Sequence, residues 1–79
     1  MKRKVQVLNG KMFEIEIEME QTIEEMKEII EHEEGYFQED QRLMHKGKGL
    51  AEYQCTLSDY LINEESTVYL IMRARPVPQ

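Results

Sequence analysis

The chain has 79 residues, about half the length of an ordinary domain, which excludes a two-domain enzyme with its own cofactor fold. Sixteen acidic and ten basic residues give a formal net charge of −6, which argues against non-specific binding to nucleic acid or anionic membranes. The single cysteine, Cys55, excludes an internal disulfide and a cysteine-based zinc site, so a reducing compartment is expected, the cytoplasm or the nucleus.

The first predicted element is a β-hairpin centred on Asn9-Gly10. Strand-like runs at residues 5–8 and 11–18 flank this pair, and Asn-Gly favours a tight turn because both residues tolerate positive φ. In the second run apolar residues alternate with glutamates, which is typical of a strand with one buried and one solvated face. The apolar positions of that run are Phe13, Ile15, Ile17 and Met19.

A helix is predicted to begin at Thr22, because Thr22 and Glu25 have the spacing of a capping box. Gly35 can end it in a left-handed conformation. One face carries Ile23, Met26 and Ile30, and the solvated face carries Glu24, Glu28 and Glu31.

The second half predicts short strands joined by turns. A strand at residues 41–45 is followed by a Lys46-Gly47 turn and a brief return at residues 48–50. A helical turn is expected at residues 56–60 and a last strand at residues 67–73. The predicted order is ββαββ, with an extra turn before the final strand.

This order is accompanied by many sequence words that match ubiquitin in register. They include Leu8-Asn9-Gly10-Lys11, Thr22-Ile23-Glu24, Gln41-Arg42-Leu43, Gly47-Lys48 and Thr56-Leu57-Ser58-Asp59-Tyr60. The chain resembles the ubiquitin-like family over residues 1–75, with one inserted residue within 53–55. The resemblance implies an α+β β-grasp fold, in which a mixed sheet of four to five strands wraps around one helix. Arg3 stands where the family has an aliphatic residue, and its guanidinium is expected to reach water from the strand end.

The resemblance departs from the family's modifiers after Arg75. Modifiers end in two glycines that pass through narrow enzyme channels, whereas Pro76 and Val77 follow Arg75 here. Conjugation by that route is therefore not expected. Residues 76–79 are interpreted as a Pro-rich tail or the start of a linker, and the chain as a non-conjugated interaction module within a larger protein.

The resemblance also implies a partner-binding surface on the sheet. Its apolar positions are Leu8, Met44, Tyr69 and Ile71, and its rim consists of Arg42, Lys46, Gly47, Lys48 and Arg73. Strand parity independently places Met44 on the other face of the sheet from Leu43. It likewise places Tyr69 and Ile71 on the other face from Val68 and Leu70. The expected partners carry ubiquitin-interacting motifs or domains, such as receptor helices of the proteasome or a segregase. The alternative is that these are scattered surface apolar residues.

Two other functions stay open. One is a covalent modifier with atypical processing. The other is RNA binding through a basic cluster. Because the whole chain has a net charge of −6, nucleic acid is a less expected partner. That cluster consists of Lys2, Arg3, Lys4, Arg73 and Arg75. Separately, Lys11 and Lys48 are candidate acceptors of a modifier on this chain.

Catalysis, metal binding and a cofactor are not expected, and the chain is expected to be monomeric. Cys55 has no catalytic pairing with His32 or His45 in the sequence. Glu28, Glu31, His32 and Glu33 are interpreted as a solvated acidic face, because adjacent residues on a helix point in different directions. The resemblance implies that Lys27 is buried and paired with Glu52 or another acid, and that the Tyr60 hydroxyl anchors the preceding loop.

Overall fold

The computed structural model of the chain describes residues 2–63 and 65–73. It contains five strands and one α-helix: β1 (Lys2–Val7), β2 (Met12–Glu16), α1 (Ile23–Glu34), β3 (Gln41–His45), β4 (Lys48–Gly49) and β5 (Thr67–Met72). Two short 3-10 helices lie at Gln38–Asp40 and Ser58–Tyr60. The predicted helical turn at residues 56–60 is confirmed, whereas the turn at Gln38–Asp40 was not predicted.

The strands form one mixed sheet in the order β2-β1-β5-β3-β4. β1 and β5 are parallel, and the other neighbouring pairs are antiparallel. Because a parallel pair requires a long crossover, the chain between β1 and β5 can carry α1 across one face of the sheet. The α+β β-grasp architecture expected from the sequence is confirmed.

The α1 caps follow the sequence prediction closely. Thr22 Oγ1 accepts from the Glu25 backbone N–H at 3.1 Å, and Glu25 Oε1 accepts from the Thr22 N–H at 3.2 Å. Gly35 ends the helix at φ +81°. Hydrogen bonds from Gln21, then from the Thr22 backbone, lower the pKa of Glu25 because they stabilise its carboxylate.

Glu31 was assigned to the solvated face of α1, and it is only partly solvated there. Its side chain is half-buried, and its carboxylate accepts from the Gln38 side-chain amide at 3.0 Å and from the Gln38 backbone N–H at 3.1 Å. These bonds lower the pKa of Glu31. They attach the 3-10 helix at Gln38–Asp40 to the end of α1, and so help to position the start of β3.

The core lies between α1 and the inner face of the sheet. β1, β2, β3 and β5 contribute through alternate residues, as period-two burial requires, whereas both residues of β4 are exposed. The buried apolar residues are Val5, Val7, Ile15, Ile17, Ile23, Met26, Ile30, Leu43, Leu50, Leu57, Ile62, Val68 and Leu70.

Arg3 does not reach water as expected, because its side chain is fully buried. It shares strand parity with Val5 and Val7, so it points to the inner face of β1. β1 has a neighbouring strand on each side, which leaves Arg3 no open edge. Its Nη1 donates to the Lys2 carbonyl at 3.2 Å.

Lys27 is buried as expected, but its expected partner was wrong. Its Nζ lies 4.1 Å from the centroid of the Tyr53 ring, and no carboxylate among the described residues forms an ion pair with it. The aromatic face therefore stabilises the ammonium through a cation–π contact. The Tyr60 prediction is confirmed, since its hydroxyl accepts from the Glu52 N–H at 3.1 Å.

Candidate functional site

Three of the four predicted apolar positions lie side by side on the outer face of the sheet. Met44 on β3 is opposite Tyr69 on β5, and Ile71 is opposite Arg42 in the same pairing. Tyr69 is 43% exposed, whereas Met44 and Ile71 are half-buried. The strand parity deduced from the sequence is confirmed, and Tyr69 is the most exposed of these three side chains.

Leu8 joins this face from the hairpin turn, whose conformation differs from the predicted one. Gly10 N–H donates to the Val7 carbonyl at 3.0 Å, and Gly10 is the turn residue with positive φ, at +99°. The loop therefore has three residues, with glycine in the bulge position, rather than two. Leu8 is 65% exposed, and its N–H donates to the Leu70 carbonyl of β5 at 3.2 Å. We call the surface formed by Leu8, Met44, Tyr69 and Ile71 the outer patch.

Gln6 also lies on this face, although it was not among the predicted site residues. It is paired with Tyr69 between β1 and β5, and its side-chain amide donates to the Val7 and Lys11 carbonyls at 3.2 Å. Gln6 thus fixes the hairpin loop that carries Leu8. The period-two alternation of β1 was the signal that could have located it.

The predicted Lys46-Gly47 turn forms the basic end of the outer patch. Both residues have positive φ, +52° and +78°, as a two-residue type I′ turn requires. Lys46 and Lys48 are exposed, and Lys48 Nζ lies 5.5 Å from the centroid of the Tyr60 ring. Arg42 is exposed beside Ile71. No carboxylate among the described residues forms an ion pair with these three basic side chains.

Arg73 is less available for pairing with a partner's carboxylate than the other basic residues of the rim. Its Nε lies 3.8 Å from Oδ1 of Asp40, and its N–H donates to the Asp40 carbonyl at 2.7 Å. Asp40 is only 5% exposed, so its charge is held at the patch edge. Sequence reasoning missed Asp40, because nothing in the local pattern places it opposite Arg73.

The two candidate acceptor lysines have different surroundings. Lys11 Nζ donates to Glu34 Oε1 at 2.9 Å, and this hydrogen bond, with the charge of Glu34, raises the pKa of Lys11. The Tyr36 ring lies 5.9 Å away. Lys48 is in contact with an aromatic ring and has no carboxylate partner in the described chain, so it is the more available amine.

The described residues contain no group of three or more His, Cys, Asp or Glu side chains that could hold a metal ion. Cys55 is a half-buried free thiol. In the same part of the chain, no helix is long and apolar enough to cross a membrane. Arg75 and the predicted tail at residues 76–79 lie outside the described residues.

The five-stranded sheet around one helix defines a ubiquitin-like β-grasp protein. The sequence matches the Ubiquitin family over residues 4–75, and the chain belongs to that family. NEDD8-like protein RUB3 of Arabidopsis thaliana is 39% identical over 75 residues, with 95% of each chain covered. Ubiquitin-like protein NEDD8 of Dictyostelium discoideum is 35% identical over 72 residues, which cover 91% of this chain and 92% of that protein.

A larger protein contains a similar segment. The probable ubiquitin receptor RAD23 of Oryza sativa subsp. japonica is 36% identical over 76 residues. The match covers 92% of this chain but 19% of that receptor. The family fold therefore occurs among these relatives both as nearly a whole protein and as a small part of one.

Proposed function

We propose that the chain is a non-covalent interaction module that binds ubiquitin-reading partners through the outer patch. The observation that carries the proposal is the alignment of Met44, Tyr69 and Ile71 on adjacent strands, with Leu8 beside them at the hairpin turn. One helical face can contact all four side chains, since neighbouring strands lie about 4.8 Å apart.

The charges of the rim favour an acidic partner. Arg42, Lys46 and Lys48 are exposed near the apolar residues, so carboxylates that flank small apolar side chains on a helix would meet unpaired cations. The Met44 side chain is flexible and can adapt to a partner, and the Tyr69 side chain is amphipathic. Both residue types are enriched at protein interfaces. This combination suits helices of the ubiquitin-interacting class.

An NMR titration tests the proposal. The labelled chain should show shifts at Leu8, Met44, Tyr69 and Ile71 when a synthetic ubiquitin-interacting helix is added. Tyr69→Ala should weaken binding about tenfold, which corresponds to about 1.4 kcal/mol. Phe37→Ala is the matched control, because Phe37 is 56% exposed but follows α1 and lies outside the patch. The proposal fails if millimolar peptide moves none of the four signals, or if both variants bind alike.

A covalent modifier is a second candidate, which one observation favours. The chain spans 95% of RUB3, so a modifier-sized relative is matched almost end to end. Against it, Pro76 and Val77 stand where the family's modifiers carry glycines. An activating-enzyme thioester assay on this chain and on a chain ending at Arg75 separates the candidates, because a non-covalent module gives no thioester in either form.

RNA binding receives no such support. Arg3 is fully buried and cannot contact a phosphate, and Lys2 and Lys4 are paired across the hairpin with Glu16 and Glu14. These acidic neighbours lower the positive potential around Lys2 and Lys4.

A further inference from the structure

The segment from Leu57 to Ile62 ends in a conformation that a leucine adopts only at a cost. Ile62 N–H donates to the Leu57 carbonyl at 3.0 Å, and Leu61 N–H donates to the Ser58 carbonyl at 3.0 Å. This pair of bonds is a Schellman motif, whose apolar contact is made here by the fully buried Leu57 and Ile62. The motif requires a left-handed residue between the last turn and Ile62.

Leu61 occupies that left-handed position, at φ +60° and ψ +31°. Glycine is usual there because it has no Cβ to clash with the following carbonyl, and asparagine because its short side chain can hydrogen-bond locally. The Leu61 side chain is also 77% exposed, so it gains little from burial. The residue is therefore unfavourable for the backbone and contributes little to the core, a combination that indicates a role outside folding.

The surroundings of Leu61 show what this role can be. Leu61 borders a cavity of about 260 Å³ that is lined by His45, Lys46, Lys48, Asp59, Tyr60 and Leu61 itself. The carboxylate of Asp59 accepts from the Thr56 N–H at 2.9 Å, so it is engaged within its own turn. The two lysines leave this surface with a positive charge, and Leu61 and the Tyr60 ring supply its apolar part.

We propose that Leu61 anchors a second docking surface, together with Tyr60, Lys46 and Lys48, for an acidic partner segment that carries a large apolar side chain. The apolar side chain would lie in the cavity against Leu61, and flanking carboxylates would pair with the two lysines. Lys46 and Lys48 also belong to the rim of the outer patch, so the two surfaces are continuous. Binding here goes beyond the proposed function and does not require a helix on the outer patch.

A peptide titration of the full labelled chain tests this surface. The probe is a seven-residue acidic peptide with a central Leu-Phe pair, and the matched control peptide has lysines in place of its acids. The acidic peptide should shift the signals of Lys48, Tyr60 and Leu61, and the basic peptide should shift none of them. The affinity should fall as salt is raised, because the contact depends on exposed charges.

Leu61→Asn separates a docking role from a structural one. Asparagine tolerates the left-handed conformation, so the variant should fold with a raised Tm. Its affinity for the acidic peptide should fall at least about tenfold, a loss of about 1.4 kcal/mol. Its affinity for the helix on the outer patch should be unchanged, which distinguishes this proposal from the proposed function.

Three results would overturn the second docking surface. The first is a set of shifts that lies at Tyr69 and Ile71 instead of at Leu61. The second is unchanged binding of the acidic peptide by Leu61→Asn. The third is a lowered Tm of Leu61→Asn, since it would mean that Leu61 is retained for packing.

Discussion

Protonation of His45 should destabilise the fold in mild acid. The ring is only 6% exposed, and its Nε2 has no hydrogen-bond partner in the described part of the chain. Burial lowers the pKa of His45, and the charge of Lys46 lowers it further, while a contact with the Tyr60 backbone opposes the shift. His45 lines the same cavity as Lys46, Lys48 and Asp59, so acid adds a cation where two lysines already outnumber one carboxylate.

The sign and the size of the effect follow from linkage. In the unfolded chain the histidine pKa is about 6.5, and in the folded chain it is lower, so the unfolded state binds the proton first as the pH falls. The contribution of His45 to stability is complete above about pH 6.5 and is lost below it, until the folded pKa is reached. The steepest loss is about 1.4 kcal/mol per pH unit. A domain of this size has a total stability of roughly 4–12 kcal/mol.

Urea unfolding followed by circular dichroism between pH 5.0 and 7.5 measures this slope. His45→Phe keeps a flat ring but removes the titrating group, so its stability should be nearly constant over this range. At pH 7.5 the variant should be about 1–3 kcal/mol more stable, because a buried nitrogen without a partner is removed. His32→Gln is the control, since His32 is exposed near the end of α1 and its removal should leave the slope in place.

The reasoning is refuted if His45→Phe keeps the wild-type acid slope while His32→Gln removes it. Glu25 and Glu31 do not confuse the measurement. Their carboxylates have lowered pKa values in the folded chain, so their contributions are lost only below the ordinary glutamate range, as the pH falls through those lowered values.

Two further variants test contacts that stabilise the fold. Thr22→Ala removes one half of the capping box, and its free energy of unfolding should fall by about 1 kcal/mol in urea titrations, with Thr22→Ser restoring it. Tyr53→Ala should cost about 2 kcal/mol, because it leaves the buried Lys27 ammonium without its aromatic face, whereas Tyr53→Phe should retain wild-type stability. Equal stability of Tyr53→Ala and Tyr53→Phe would exclude the cation–π contact as a stabilising interaction.

Features fixed by local chemistry could be predicted from the sequence. The start of α1 follows from the Thr22 and Glu25 spacing and its end from Gly35, since each signal acts within one helical turn. The directions of Met44, Tyr69 and Ile71 follow from strand parity alone. The placement of most candidate site residues was therefore predictable, although their partners remain a proposal.

Features fixed by tertiary neighbours could not be predicted in the same way. Arg3 was expected to reach water, but β1 has a strand on each side and the parity of Arg3 directs it inward. Lys27 was expected beside Glu52 or another acid, but its partner is the ring of the next residue, Tyr53, and which of these two side chains reaches the ammonium depends on tertiary packing. Asn9-Gly10 indicated a hairpin correctly, yet the three-residue loop depends on where the ladder between β1 and β2 closes.

The sheet brings some of the basic residues next to acidic residues that are distant in the sequence. Residues 14–40 are strongly acidic and the basic residues lie mainly elsewhere, which suggests two separate charged regions. The strands reduce that separation, because Lys2 and Lys4 lie opposite glutamates of β2, and Asp40 lies beside Arg73 at the edge of the outer patch.

Arg42, Lys46 and Lys48 are exposed basic side chains that no described carboxylate pairs with. Arg42 lies opposite Ile71, Lys46 lines a cavity with Tyr69, and Lys48 lies over the Tyr60 ring. A charged partner gains most from cations that are not already neutralised, since each internal ion pair must otherwise be exchanged. The attraction for an acidic partner is therefore concentrated on β3, the Lys46-Gly47 turn and β4, where these three cations locally outweigh the net charge of −6.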